Sequence, residues 1–366
     1  MRVLIIVPEV VRYGGTGRFV ERLLEFHARR GIETTLLAPA GQCHPGLTAV
    51  VERHGAELLL APNRACATTH PALTQLFDLL YCWRAVRSRR PDLVVVSTGD
   101  PGRMSVALYL PVPVLYILHS TPEQRLSFPA RSYLKLGALL GNRVMTVSEA
   151  CAGEVSQTMG VPRSRISVVH NSCRGTGEPP ARGEALVLTL GHLVGYKNPW
   201  IWLEVAGAVL QHRPDVRFVW LGDGEELLPL RARVREMALE ERILLPGYVE
   251  DPASWFARAS IYLQPSLRES HGIAVLEAMS HGLPCVVANT GGLPESVLDG
   301  ETGFICRALE VADFAGRIAA LLDDAALRER MGGAGRSRAE QRFSEQDQEL
   351  KIMALYDTLT KKQAPR

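Results

Sequence analysis

The sequence predicts an α/β protein built from two doubly wound, Rossmann-like domains. Three observations carry that expectation. Short runs rich in Val, Ile and Leu, apolar on both parities, recur along nearly the whole chain, as parallel strands covered on both faces require. Helical patterns fill the intervals between them, which is the rhythm of βαβ units. One stretch rich in Gly, Pro and charge, SCRGTGEPPARGE from Ser172 to Glu184, breaks the alternation before it restarts.

Taken in order, the first group of expected strands is Val3–Val7, Thr34–Ala38, Glu57–Ala61, Leu93–Ser97, Val114–Leu118, Val144–Val147 and Ile166–Val169. Helices such as Gly17–Arg30 and His70–Arg89 lie between them. After the break come Leu186–Leu190, Arg217–Leu221, Ile243–Leu245, Ile261–Leu263, Cys285–Ala288 and Phe304–Cys306. The expected organisation is a domain over residues 1–172, a linker over 173–184 and a second domain over 185–342. A final helix over 343–366 is expected to dock back on the first domain.

At 366 residues the chain is long enough for two domains, each with its own core. A net charge of +2 without a long basic run gives no general pull towards nucleic acid. No stretch approaches the roughly 20 apolar residues of a membrane span. The N-terminus enters a strand without a signal-peptide pattern, so the cytoplasm is the expected location. Seven cysteines without paired spacing read as reduced core residues. No Cys-x-x-Cys, His-Glu-x-x-His or Asp-x-Asp occurs, so neither a structural zinc nor a sugar-nucleotide metal site is expected.

Residues 261–299 carry the densest chemistry. The run Ile261–Leu263 ends in Gln264-Pro265-Ser266, and the following loop holds Glu269, His271 and Gly272. An amphipathic segment from Ile273 through Met279 contains Glu277, and Gly291 and Gly292 lie behind the next apolar run. The helix start from His271 through Gly272, Ile273 and Ala274 offers main-chain N–H groups to an anion. A carboxylate beside a phosphate would be repelled, so Glu269 and Glu277 suit sugar hydroxyls flanking a diphosphate. This segment resembles the E-x7-E motif of retaining glycosyltransferases of family 4, which adopt the two-domain GT-B fold. The resemblance implies that Glu269 contacts the donor sugar and Glu277 the ribose, with the amides between them on the phosphates.

Other strand-to-helix loops resemble those of the same family. Gly14-Gly15-Thr16-Gly17 lets a ligand approach the backbone closely. A nicotinamide site would want glycine where Val20 stands and an acidic residue where Ala38-Pro39-Ala40 ends the second strand. The pair Gly14 and Gly15 instead resembles the family's loop over the diphosphate. His119, at the end of a strand, matches the family's histidine near the reacting sugar. Lys197 matches the lysine that neutralises the diphosphate, and His192 stands where that family usually has an arginine. Histidine is only partly charged at neutral pH and lacks the bidentate guanidinium fork. Gly222 and Tyr248 resemble segments beside the nucleotide. Ser148 and Asn171 fall in two landmarks read as architectural. The segment Thr121 to Leu140, with Arg125, Arg131 and Lys135, could border an acceptor or touch an anionic lipid surface.

The resemblance therefore implies retaining, metal-independent glycosyl transfer in a cleft between the two domains, with His119, Lys197 and Glu269 as catalytic candidates. The donor would be a nucleotide-diphosphate sugar, by default UDP-hexose or UDP-N-acetylhexosamine, used as co-substrate with no further cofactor. The acceptor hydroxyl would belong to a small soluble metabolite, with a glycan or lipid carrier still open. Alternatives are a sugar-nucleotide epimerase or hydrolase on the same fold, an NAD-dependent dehydrogenase and a non-catalytic binding protein.

Overall fold

The computed structural model describes residues 1–8, 15–40, 45–61, 71–99, 105–120, 128–174 and 184–361. The chain forms two compact units, Met1–His170 with Gln348–Arg366, and Asn171–Asp347.

The first unit is built on a seven-stranded sheet. Its strands are β1 (Arg2–Ile6), β2 (Glu33–Pro39), β3 (Glu57–Ala61), β4 (Leu93–Thr98), β5 (Val114–Leu118), β6 (Arg143–Thr146) and β7 (Ile166–Val168). They run parallel in the order β3-β2-β1-β4-β5-β6-β7. Successive side chains point to opposite faces, so apolar residues on both parities feed two layers. Val3, Ile5, Val95, Leu115 and Ile117 join Phe19, Leu23 and Leu24 on one side. Leu4, Ile6, Val94, Val96, Tyr116 and Leu118 join Leu108, Leu134 and Val155 on the other.

Local signals set the ends of these elements. Ser148 caps helix Glu149–Met159 by accepting the Cys151 N–H at 3.0 Å, which is the architectural role its sequence suggested. The last helix, Glu345–Lys361, sends Ile352, Tyr356 and Leu359 into the layer that holds Phe26. Buried His27 lies within 2.9 Å of Thr34 Oγ1 through Nδ1 and 3.1 Å of Tyr356 Oη through Nε2. Burial lowers its pKa to about 3, so the imidazole is neutral.

The second unit has a six-stranded parallel sheet. Its strands are β8 (Leu186–Leu190), β9 (Arg217–Leu221), β10 (Ile243–Gly247), β11 (Ile261–Gln264), β12 (Cys285–Ala288) and β13 (Gly303–Cys306). The order is β10-β9-β8-β11-β12-β13. Its core includes Trp202, set edge-on to Phe218 and Trp220 and donating to Thr189 Oγ1 at 2.9 Å.

Three boundaries differ from the sequence reading, the first being that the first unit ends at His170 and leaves Asn171 and Ser172 to the second. Cys173 belongs to the second unit and not to a free linker, because its N–H donates to the Phe343 carbonyl at 2.9 Å. The last helix begins within the second unit and reaches the first only from Gln348. Residues 175–183 lie outside the described ones. Among the described residues the five cysteines are buried and form no disulfide, and no helix is long and apolar enough to cross a membrane.

Candidate active site

Both sheets reverse their strand order once, between β1 and β4 and between β8 and β11. Open α/β sheets bind ligands at that reversal, beyond the carboxyl ends of the strands. In the second unit, Ile261 and Tyr262 of β11 pair with Val187 and Leu188 of β8, so the loops leaving these two strands meet. The first loop ends in a single 3-10 turn, Gly195–Lys197, followed by Asn198 in the left-handed region at φ 61°. The second runs from Pro265 to Gly272. Leu267 N–H donates to the Tyr196 carbonyl at 2.9 Å, and Asn198 Nδ2 donates to the Pro265 carbonyl at 3.2 Å. These bonds bring Lys197 and Glu269 together, and Lys197 Nζ donates to the Glu269 carboxylate.

Glu269 is fixed from several sides. Its Oε2 accepts Gln264 Nε2 at 3.3 Å, and its carbonyl accepts the Gly292 N–H at 3.0 Å. Gly291, at φ +51°, lies so close that a Cβ there would stand 1.8 Å from the Glu269 carbonyl oxygen. Gly222 is in the same position against the other loop, since a Cβ on it would fall 1.9 Å from the Gly191 oxygen. Both glycines thus exist to let backbones touch.

Helix Ile273–Ser280 starts at Gly272, φ +83°, and no side chain caps this end. Ile273 and Ala274 are half-buried there, and the end of the helix carries the positive end of its dipole. Glu277 is half-buried within the helix. His192 is half-buried in the loop after β8, and Tyr248, just beyond β10, is 62% exposed.

The side chain of His271 sits inside the second unit. It is fully buried, its ring edge-on to Phe343 at 5.4 Å and its Nε2 3.4 Å from Ser296 Oγ. Its imidazole is an interior group of the second unit, which leaves its main chain as the part that belongs to the helix start. Its neighbours Gly272 to Ala274 gave no sign that the chain turns inward at this residue.

In the first unit, Gly15 is exposed at the start of helix Gly15–Arg29, while Gly14 lies outside the described residues. His119 follows β5, with Nε2 2.8 Å from Ser97 Oγ and its ring 4.6 Å from that of Phe19. Desolvation lowers its pKa to about 4, so it acts at neutral pH as a hydrogen-bonding group and not as a cation. Arg125 and the side chain of Arg131 also fall outside the described residues, and Lys135 lies in helix Phe128–Leu139.

Sequence reasoning missed Gln264 and Tyr262. Tyr262 reads as part of an apolar strand and Gln264 as the first residue of the turn that ends it, whereas the strand runs through Gln264.

Two α/β units, each on a sheet of parallel strands, with a paired lysine and glutamate at the strand reversal of the second, have the architecture of GT-B glycosyltransferases. A glycosyltransferase structure from Rickettsia africae superposes with a TM-score of 0.83 at 16% identity, over 99% of each chain. The Anabaena HepE structure in complex with UDP gives 0.80 at 19% identity, over 98% of this chain and 100% of that one. The family model for glycosyl transferases group 1 matches residues 177–338, and that for glycosyltransferase family 4 matches residues 13–173. The chain belongs to this glycosyltransferase family.

D-inositol 3-phosphate glycosyltransferase of Streptomyces avermitilis is 26% identical over 383 aligned positions, covering 89% of this chain and 79% of that enzyme. N-acetyl-alpha-D-glucosaminyl L-malate synthase of Bacillus anthracis is 32% identical over 145 positions. That match covers 40% of this chain and only 37% of the Bacillus enzyme.

Proposed function

We propose that the chain transfers a hexosyl or N-acetylhexosaminyl group from a UDP-sugar to a hydroxyl of a small soluble metabolite, with retention and without a metal. The observation that carries this reading is the Lys197–Glu269 pair beside the uncapped start of helix Ile273–Ser280. Cleaving the bond between sugar C1 and the phosphate oxygen builds negative charge on the departing diphosphate. Fixed cations and helix N–H groups lower the barrier most where that charge develops. Lys197 supplies its ammonium, His192 its imidazole, and the main chain of Gly272 to Ala274 the helix dipole. Glu269 receives hydroxyls of the donor sugar and Glu277 those of the ribose.

On this reading the acceptor oxygen attacks C1 from the face the diphosphate leaves. A new C1–O bond forms as the old one breaks, and the acceptor's proton passes to the departing phosphate oxygen. No separate base on the opposite face is needed, in contrast to an inverting reaction. His119, neutral and held by Ser97, is suited to hydrogen-bond the sugar. The names of the relatives, which include inositol phosphate and malate, support a small hydroxylated acceptor.

The experiment is a panel of sugar nucleotides incubated with inositol phosphate, malate and buffer alone, scored by UDP release and by the anomer formed. The reading expects acceptor-dependent release with an α-product from an α-donor, unchanged by excess EDTA. An inverted product would overturn retention, and loss with EDTA restored by Mn²⁺ would overturn metal independence. Epimerised donor without acceptor would replace transferase by epimerase.

A further inference from the structure

Gln264 ends β11 and is 2% exposed, an unusual place for a long amide. Its Oε1 accepts from Tyr262 Oη at 2.8 Å, and its Nε2 donates to Ser266 Oγ at 2.7 Å and to Glu269 Oε2 at 3.3 Å. Tyr262 is fully buried, and its hydroxyl also meets the main chain of Leu190 at the end of β8, accepting its N–H at 3.3 Å. Burial holds the Tyr262 phenol well above its ordinary pKa, so its proton stays in place at every working pH.

The orientation of the Gln264 amide follows from its neighbours. Turning it over would aim its oxygen at the Glu269 carboxylate, oxygen against oxygen. The arrangement with both amide hydrogens on Ser266 and Glu269 avoids that repulsion and leaves Oε1 to accept from Tyr262. A continuous chain of polar contacts therefore runs from the Leu190 main chain through Tyr262, Gln264 and Glu269 to Lys197. It joins the ends of the two strands whose loops form the site.

Building on the reading of Glu269 as the group that binds the donor sugar, we propose that Gln264 is a positioning residue. It holds the Glu269 carboxylate in the orientation that meets both Lys197 and the sugar hydroxyls. Glu269 has rotatable bonds of its own, and Lys197 alone fixes one oxygen from one side. The neutral donor from Gln264 fixes the same carboxylate from the strand side without competing for charge. Its effect falls on recognition of the sugar and on turnover, and not on the nucleoside diphosphate.

The test uses the full chain with Gln264→Met and Gln264→Glu, and Glu269→Ala in parallel. UDP and UDP-glucose affinities are measured by calorimetry, and UDP release by turnover. Gln264→Met should retain UDP affinity within about twofold, while UDP-glucose preference over UDP falls roughly tenfold, the scale of one hydrogen bond to a charged group. Gln264→Glu keeps the shape and changes the pH response. Its protonated carboxyl can still donate to Glu269, whereas the ionised form repels it, so UDP-glucose preference should fall as pH rises relative to wild type. Among the described residues, the ionisable groups facing that position are Tyr262, Glu269 and, through Glu269, Lys197, with Glu277 and Cys285 close enough to act on Tyr262.

Equal losses for UDP and UDP-glucose in Gln264→Met, or a Gln264→Glu profile parallel to wild type, would overturn the positioning role. If Glu269→Ala discriminates the two ligands and Gln264→Met does not, positioning alone fails. If Glu269→Ala also treats the two ligands alike, the sugar-binding reading of the site fails with it.

Discussion

Lys197 and Glu269, 72 residues apart in the chain, form an ion pair whose side chains are only 14% and 12% exposed. A pair this sheltered is costly to break from one side, because the remaining charge keeps its burial and loses its partner. Lys197→Ala and Glu269→Ala should each lower unfolding free energy by ~1–3 kcal/mol. The double variant should lose clearly less than their sum. Urea unfolding of the four proteins checks this, and strictly additive losses would mean the pair is not coupled. Turnover of Lys197→Ala should fall on the order of 10²–10³.

The two glutamates should separate by ligand. Glu277→Ala is expected to weaken UDP itself, since its partner is a ribose hydroxyl. Glu269→Ala should spare UDP and damage only the sugar nucleotide. Calorimetry with UDP and UDP-glucose on both variants decides, and identical patterns in the two variants would refute the division.

His192 stands where the family usually carries an arginine. A diphosphate beside it would favour the imidazolium, so UDP should bind more weakly as pH rises from about 6 to 8.5. His192→Arg should flatten that profile, because a guanidinium stays charged throughout. After correction for the titration of UDP itself, superimposable profiles would remove His192 from the site.

Gly291→Ala tests the backbone support of Glu269. The added Cβ would stand 1.8 Å from the Glu269 oxygen, at a φ of +51°. The left-handed conformation costs about 1–2 kcal/mol and the overlap about 1–3 kcal/mol more. Thermal and urea unfolding should show that loss, together with weaker UDP-glucose binding. A variant as stable as wild type would show that the loop shifts freely.

His27 predicts an acid-sensitive fold. Its folded pKa of about 3 lies below the ordinary value of 6.5, so below that value the unfolded chain takes up a proton that the folded one refuses. Stability is therefore full above about pH 6.5 and falls with pH down to about pH 3, by at most ~1.4 kcal/mol per unit. Half-buried His119, its pKa lowered by desolvation, contributes in the same direction down to about pH 4. His27→Asn should be less stable at pH 7.5 and show a shallower decline between pH 6 and 4. An unchanged slope would mean that another group sets it.

The sequence by itself determined the thirteen described strands to within a few residues at each end, because runs buried on both faces must be apolar on both parities. Its resemblance to the family's motifs also pointed to Glu269, Lys197 and the glycines around them. What it left open was adjacency. Parallel strands covered on both faces carry no label for their neighbours, and nothing local says that β8 lies beside β11. That single pairing is what joins Lys197 to Glu269 and makes Gln264 part of the same cluster. The inward turn of His271 onto Phe343 likewise depended on a residue 72 positions away. Such contacts are decided by how the sheet closes against its helices, and only the tertiary structure holds that information.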